Sequence, residues 1–265
     1  MNRIIDYQTL SIEIQRWISS YVSENKIDTL VVGVSGGIDS AVVSTLCAET
    51  GLPTIVVGMP LNSSPENTAL SNKHISLLSS KYDNVYGLEV DLSETFEQFK
   101  SHPVIDKEFK SVLGLANTKS RLRMMTLYQI ATSRNGIVVG TGNKVEDFGV
   151  GFYTKYGDGG VDLSPIADLM KSEVFLLGDY LKIPNSILTA APTDGLFGDE
   201  RTDEDQLGAS YDELEWAMIE DEKGKSANDF SGREKEVFEI YRRLNTVNQH
   251  KMNAIPVCLI PNPLK

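Results

Sequence analysis

Apolar residues recur along this chain in two rhythms. Leu10, Ile14, Trp17, Ile18 and Tyr21 fall on one face of a helix predicted over residues 8–22. Four short runs follow a different pattern: residues 30–34, 54–58 and 137–140 are nearly continuous in Val, Ile and Leu, and residues 85–90 carry Val85, Leu88 and Val90. Runs this short and this apolar predict strands buried on both faces of a parallel sheet. Helices are predicted between them. Residues 41–49 place Val42, Val43, Leu46 and Cys47 on one side. Ser64 before Pro65 reads as an N-cap and first helical position. Residues 120–134 form a further helix, and Val237, Ile240, Tyr241, Leu244 and Val247 draw one stripe along the last. Strands alternating with helices predict an α/β fold with a doubly wound parallel sheet of about five strands. Residues 92–118 are polar and weakly periodic, which predicts a loop. Residues 194–232, rich in Asp, Glu and Gly, predict an irregular stretch with one short helix near 211–218. No repeat or low-complexity linker divides residues 1–265, so a single domain is expected.

Charge narrows the partners. The formal net charge is −12, which excludes non-specific nucleic-acid binding, because neutralising phosphates takes clustered Lys and Arg. No apolar run approaches the ~20 residues that cross a bilayer. The start, Met-Asn-Arg-Ile-Ile-Asp, carries an early acid and no apolar signal core, and a cytoplasmic location is expected. Cys47 and Cys258 sit in apolar stretches with no metal or redox spacing, and neither has the setting of a nucleophile. His74 and His102 fit no site.

The strongest chemical signal is Gly33-Val34-Ser35-Gly36-Gly37-Ile38-Asp39-Ser40. It leaves a predicted strand and enters a predicted helix. Adjacent glycines let the backbone approach a phosphate, and the helix N-terminus adds partial positive charge. Ser35 and Ser40 supply hydroxyls. Asp39 is a carboxylate in a pocket built for anions, which makes sense if a divalent cation sits between it and the phosphates. The Gly-Lys-Ser/Thr ending of a Walker loop is missing.

This loop resembles the SGGxDS loop of the N-type ATP pyrophosphatases, which split ATP between the α and β phosphates. That resemblance implies a Rossmann-like, adenine nucleotide alpha hydrolase-like arrangement. The chain also carries Gly140-Thr141-Gly142-Asn143-Lys144-Val145-Glu146 and Lys155-Tyr156-Gly157-Asp158-Gly159-Gly160-Val161-Asp162. Leu169-Met170-Lys171, Ala191-Pro192-Thr193, Tyr211 and His250-Lys251 follow. Together these resemble the NAD synthetases from about residue 10 to the end. The resemblance implies ATP-dependent joining of ammonia to the nicotinate carboxylate of deamido-NAD through an acyl-adenylate. It implies that Gly33, Val34, Ser35, Gly36, Gly37, Ile38, Asp39 and Ser40 wrap ATP, with Thr141, Lys171 and Thr193. It implies Mg²⁺ on Asp39 and Glu146, and deamido-NAD on Arg121, Lys155, Asp162, His250 and Lys251. Asp158 is a candidate to take a proton from ammonium, with Asp39 and Lys171 as the other catalytic residues. A homodimer with the dinucleotide site near its interface is implied as well.

Taken alone, several of these residues are ordinary. Glu146 could be a solvated helix residue, Lys171 a surface lysine and His250 a surface histidine. Positive charge where Lys171 begins a helix opposes the helix dipole, which favours a ligand there. Arg123 lies two residues from Arg121 on one helix, faces another way, and reads as a structural ion-pair partner. One residue near Val150-Gly151 exceeds the family spacing between Glu146 and Lys155. Two alternatives remain: another pyrophosphatase-type ligase such as a GMP synthetase-like enzyme, and a non-enzymatic nucleotide-binding module. No glutaminase or nitrilase domain is expected, so ammonia itself is the expected nitrogen source.

Overall fold

Four parallel strands form the sheet: β1 (Thr29–Val34), β2 (Thr54–Gly58), β3 (Val85–Glu89) and β4 (Gly136–Val139). Their order is β3-β2-β1-β4. The structure is a computed structural model and describes residues 3–4, 6–193, 195–197 and 201–261. A fifth strand is reduced to a single parallel bridge between Leu163 and Val139, so the expected five-strand sheet is four strands plus that bridge. The chain steps outward from β1 to β2 and β3, then returns to lay β4 on the other side of β1. That reversal opens a crevice at the carboxyl ends of β1 and β4, where sheets of this kind bind ligands.

β1, β2 and β4 are buried because both faces are covered, whereas β3 at the sheet edge is buried only at Val85. On one face, Leu30 and Val32 pack with α1 (Tyr7–Asn25), α2 (Ile38–Glu49) and later helices. On the other, Val31 and Val138 meet Met124, Leu127 and Ala131 of α6 (Val112–Thr132). In α1, Ile14, Ile18 and Val22 are buried at intervals of four, while Trp17 remains 47% exposed. α3 (Pro65–Lys81) begins as its sequence predicts, with Ser64 accepting from the Asn67 N–H and Pro65 in the first turn.

Residues 92–118 depart from the predicted loop. They form α4 (Ser93–Lys100), α5 (Pro103–Glu108) and the first turns of α6. Only Phe96 of α4 and no residue of α5 is buried, so the helical period is almost silent in the apolar pattern. The 194–232 stretch is likewise more ordered than its composition suggests. It contains α9 (Asp203–Leu207), α10 (Tyr211–Glu222) and a 3-10 turn, Ala227–Asp229. Residues 194 and 198–200 lie outside the described residues. Capping boxes at Thr202 and Ser210 start α9 and α10 and are legible as Thr-x-x-Asp and Ser-x-x-Glu.

α7 (Lys171–Tyr180) and α8 (Asn185–Leu188) complete the first face. α10 and α11 (Gly232–Met252) build a satellite core around Leu214, Phe238 and Tyr241, into which Val145 and Val150 insert. Along α11 the predicted stripe is buried at Val237 and Tyr241 but runs out at Val247, which is 67% exposed. No helix among the described residues is long and apolar enough to cross a membrane.

Candidate active site

A cavity of about 290 Å³ opens at the crevice between β1 and β4. The phosphate loop forms its floor. Gly36 has φ +93°, and a Cβ there would lie 2.8 Å from the Asn67 carbonyl of α3, so only glycine fits. The Ser35 and Ser40 hydroxyls lie 3.1 Å apart, Ser40 Oγ donates to the Gly37 carbonyl, and Ser35 Oγ accepts from the Gly37 N–H. These hydroxyls therefore shape the loop itself. Gly33, Val34, Ser35, Gly37, Ile38 and Asp39 line the cavity; Gly36 and Ser40 stand behind it.

At the mouth of the loop, three charged side chains from three elements meet. Lys171 Nζ donates to Asp39 Oδ2 at 2.6 Å and to Glu146 Oε1 at 2.9 Å. Its side chain is only 3% exposed. Lys171 opens α7, where a cation opposes the helix dipole, and the two carboxylates offset that cost. The free N–H groups of this helix end are served by acids: Glu215 accepts from the Ser172 N–H and hydroxyl, and Glu173 accepts from the Met170 N–H.

Glu146 reaches this point through a π-helical turn, Val145–Val150, closed by Gly151 in the left-handed region. A π turn absorbs one extra residue into a helix. Asn143, fully buried, ties the turn to the phosphate loop. Its side-chain oxygen accepts from the Val145 and Glu146 N–H groups, and its amide donates to Asp39 Oδ1 at 3.1 Å.

Burial sets the protonation of this centre. Burial and the Glu146 charge push the Asp39 carboxyl above its ordinary value, although Lys171 opposes them. Burial would raise Glu146 too, but the Lys171 charge and the Tyr211 hydroxyl hold it below the usual range. Burial would lower Lys171, and the two carboxylates outweigh it, so the ammonium is held above its ordinary value. Asp158 lines the same cavity and is raised by burial, against the hydrogen bonds from Ser120 and the Thr154 N–H. Asp147, beside Glu146, is pushed up to about 8 by burial and by the charges of Glu146, Asp158 and Asp39.

Thr141 and Thr193 line the cavity with the loop and Lys171. Arg121, Lys155, His250 and Lys251 gather elsewhere, around the 151–156 turn. Lys155 Nζ donates to the His250 carbonyl at 2.7 Å, and Arg121 Nε to the Lys155 carbonyl at 3.2 Å. Lys251 Nζ donates to the carbonyls of Gly151 and Tyr153. Burial holds Lys251 below its ordinary value, while Asp158, which lines the cavity, opposes it. Asp162 stands apart from both groups. It accepts from the Tyr128 hydroxyl at 3.0 Å and the Val138 N–H at 2.8 Å, clasping α6 to β4.

Several residues of the site escape sequence reasoning. Asn143, Asp147, Tyr211 and Asp203 are held close to the charged centre, and Arg123 lies on the cavity wall, donating to the Met59 carbonyl and Ser63 hydroxyl. Asn143, Tyr211 and Asp203 stand within stretches that carry the family resemblance, though without an assigned role; nothing local marks Asp147. His74 is buried and bonded to Ser44, and Cys47 is buried with its thiol pushed up to about 12, both apart from the cavity.

The donor set at Asp39 and Glu146 fits a hard divalent cation. Both carboxylates already share one cationic partner beside the phosphate loop. Among the described residues no group of three or more His, Cys, Asp or Glu forms a metal cage, so the remaining ligands would be nucleotide oxygens.

A family model described as NAD synthase matches residues 10–255. The chain belongs to the NAD synthase family. An NH(3)-dependent NAD(+) synthetase of Mesoplasma florum is 36% identical, covering 90% of this chain and 91% of that protein. Its counterpart in Alkaliphilus metalliredigens is also 36% identical, covering 91% and 94%. Among solved structures, an NMN synthetase from Francisella tularensis superposes with a TM-score of 0.83 at 32% identity, covering 98% of this chain and all of that one. The family thus extends over both the β1–β4 crevice and the satellite core.

Proposed function

We propose that this chain joins ammonia to the nicotinate carboxylate of deamido-NAD at the expense of ATP, giving NAD, AMP and pyrophosphate. The observation that carries this reading is the Lys171–Asp39–Glu146 centre beside the phosphate loop. A carboxylate is a poor electrophile. One of its oxygens attacks the α-phosphorus of ATP, pyrophosphate departs, and an acyl-adenylate forms. Ammonia then attacks the activated carbonyl, and AMP leaves with that oxygen. The phosphate loop N–H groups and Lys171 stabilise charge on the departing pyrophosphate. Asp39 and Glu146 would hold Mg²⁺, which would supply further neutralisation of the polyphosphate. Asp158 accepts a proton from ammonium, a role its raised pKa suits. Arg121, Lys155, Asp162, His250 and Lys251 hold the dinucleotide, and the protein works as a homodimer.

A second reading concerns the size of the acid. The Francisella tularensis relative is named for NMN, which points to the mononucleotide acid as the equivalent substrate. Measuring kcat/KM for deamido-NAD and for nicotinate mononucleotide, each with ATP, Mg²⁺ and ammonium, decides between them. Preference for deamido-NAD supports the first reading, preference for the mononucleotide the second, and turnover of neither contradicts both.

A further inference from the structure

The two carboxylates that fit a divalent ion are bridged by a lysine. Lys171 Nζ stands 2.6 Å from Asp39 and 2.9 Å from Glu146, and its third side faces the Tyr211 ring, 4.7 Å from the centroid. A Mg²⁺ ion binds oxygen at about 2.1 Å. Bound to these two carboxylates, it would stand beside the ammonium that already neutralises them, and like charges so close repel. The metal and the ammonium therefore compete for one pair of ligands.

The outcome of that competition depends on what else is in the cavity. Without a nucleotide, a displaced Lys171 loses both charge-assisted hydrogen bonds, and an unpaired buried charge is strongly unfavourable. The adjoining Tyr211 hydroxyl, which donates to Glu146 at 2.6 Å, could accept one bond but carries no charge to replace the two carboxylates. With a polyphosphate on the loop, its oxygens offer the ammonium new anionic partners within the same cavity, which Lys171 lines. Displacement then costs little. We propose that Lys171 is a tethered placeholder cation that bars divalent metal from Asp39 and Glu146 until a polyphosphate binds. Metal and nucleotide affinities are then coupled, and the coupling is reciprocal. This rests on the assignment of the loop as a polyphosphate site, and is independent of which acid is amidated.

Electron paramagnetic resonance of free Mn²⁺ tests it without reference to activity. Titrated without nucleotide, wild-type protein should bind Mn²⁺ at least about tenfold more weakly than Lys171→Met, since the variant removes the competing cation. The double variant Asp39→Asn/Lys171→Met should lose the gain. Equal affinity of wild type and Lys171→Met would overturn the proposal. Should Lys171→Met not fold, NMR of the lysine ammonium groups in wild-type protein gives the answer. The Lys171 signal, protected by its two ion pairs, should persist through addition of Mg²⁺ alone and move on addition of a non-hydrolysable ATP analogue with Mg²⁺. A signal that moves equally with Mg²⁺ alone contradicts the placeholder. If the analogue fails to bind at all, the assignment of function is wrong, and the comparison without nucleotide still stands on its own.

Discussion

The Tyr211 hydroxyl donates to Glu146 Oε1 at 2.6 Å, joining the helical satellite core to the charged centre of the sheet. The same ring packs over Lys171, and the same hydroxyl lies 3.3 Å from Asp203. One residue of α10 thus orients both the acid and the base of the centre. Tyr211→Phe keeps the buried ring and removes one hydrogen bond to a charged group, a loss of about 1.5–3 kcal/mol. The variant should stay folded, with kcat reduced roughly tenfold or more and a higher Mg²⁺ requirement. Steady-state rates across a Mg²⁺ titration check this; wild-type kcat and Mg²⁺ dependence would show that the hydroxyl does not position Glu146.

Gly36 offers a test of the loop. A Cβ at φ +93° would be strained and would press on the Asn67 carbonyl of α3. Gly36→Ala should lower stability by about 1–3 kcal/mol and weaken ATP binding while leaving the affinity for the acid substrate unchanged. Calorimetric titration with each substrate separates the two effects. Equal weakening of both would mean that the loop serves more than the nucleotide.

His74 gives the fold a dependence on pH. It lies fully buried against Ser44, and burial lowers its pKa to about 4 from 6.5. The folded state holds the neutral ring, whereas the unfolded chain takes up a proton below 6.5. Stability is therefore complete above that value and falls as pH drops through 6.5 toward 4, by roughly 3 kcal/mol from this group. Denaturant midpoints of wild type and His74→Gln at pH 7.5 and pH 4.5 should show a smaller acid loss in the variant. An identical loss would place the acid sensitivity elsewhere.

Much of this was legible in the sequence, and the reasons differ by element. The buried strands declare themselves because both faces are apolar, and the loop from Gly33 to Ser40 because its residue types and its place between strand and helix agree. α4 and α5 are hidden because helices with one buried side chain, or none, leave no period to read. Asp147 is hidden for another cause. Its carboxylate lies where a side chain on Gly142 would be, a relation between two chain positions that no local pattern announces. Asp162 shows the converse. Its motif marks it as a ligand, and its two hydrogen bonds add a bracing role between α6 and β4 that the motif does not reveal.

Neither thiol has the setting of a glutaminase nucleophile. Burial pushes Cys47 up to about 12, far from a thiolate at neutral pH, and Cys258 is exposed and does not line the cavity. Turnover should be supported by ammonium salts and should fall at least about a hundredfold when glutamine replaces them in ammonia-free buffer. Comparable rates with glutamine would contradict this.

Oxygen-18 in the nicotinate carboxylate follows the central bond directly. If that carboxylate attacks the α-phosphorus, as the phosphate loop and the Lys171–Asp39–Glu146 centre suggest, one of its oxygens must leave with AMP. Mass spectrometry of the nucleotide product should find one label in AMP per turnover, with unlabelled pyrophosphate. Unlabelled AMP, or ADP in its place, would contradict the acyl-adenylate and the reading of the site built upon it.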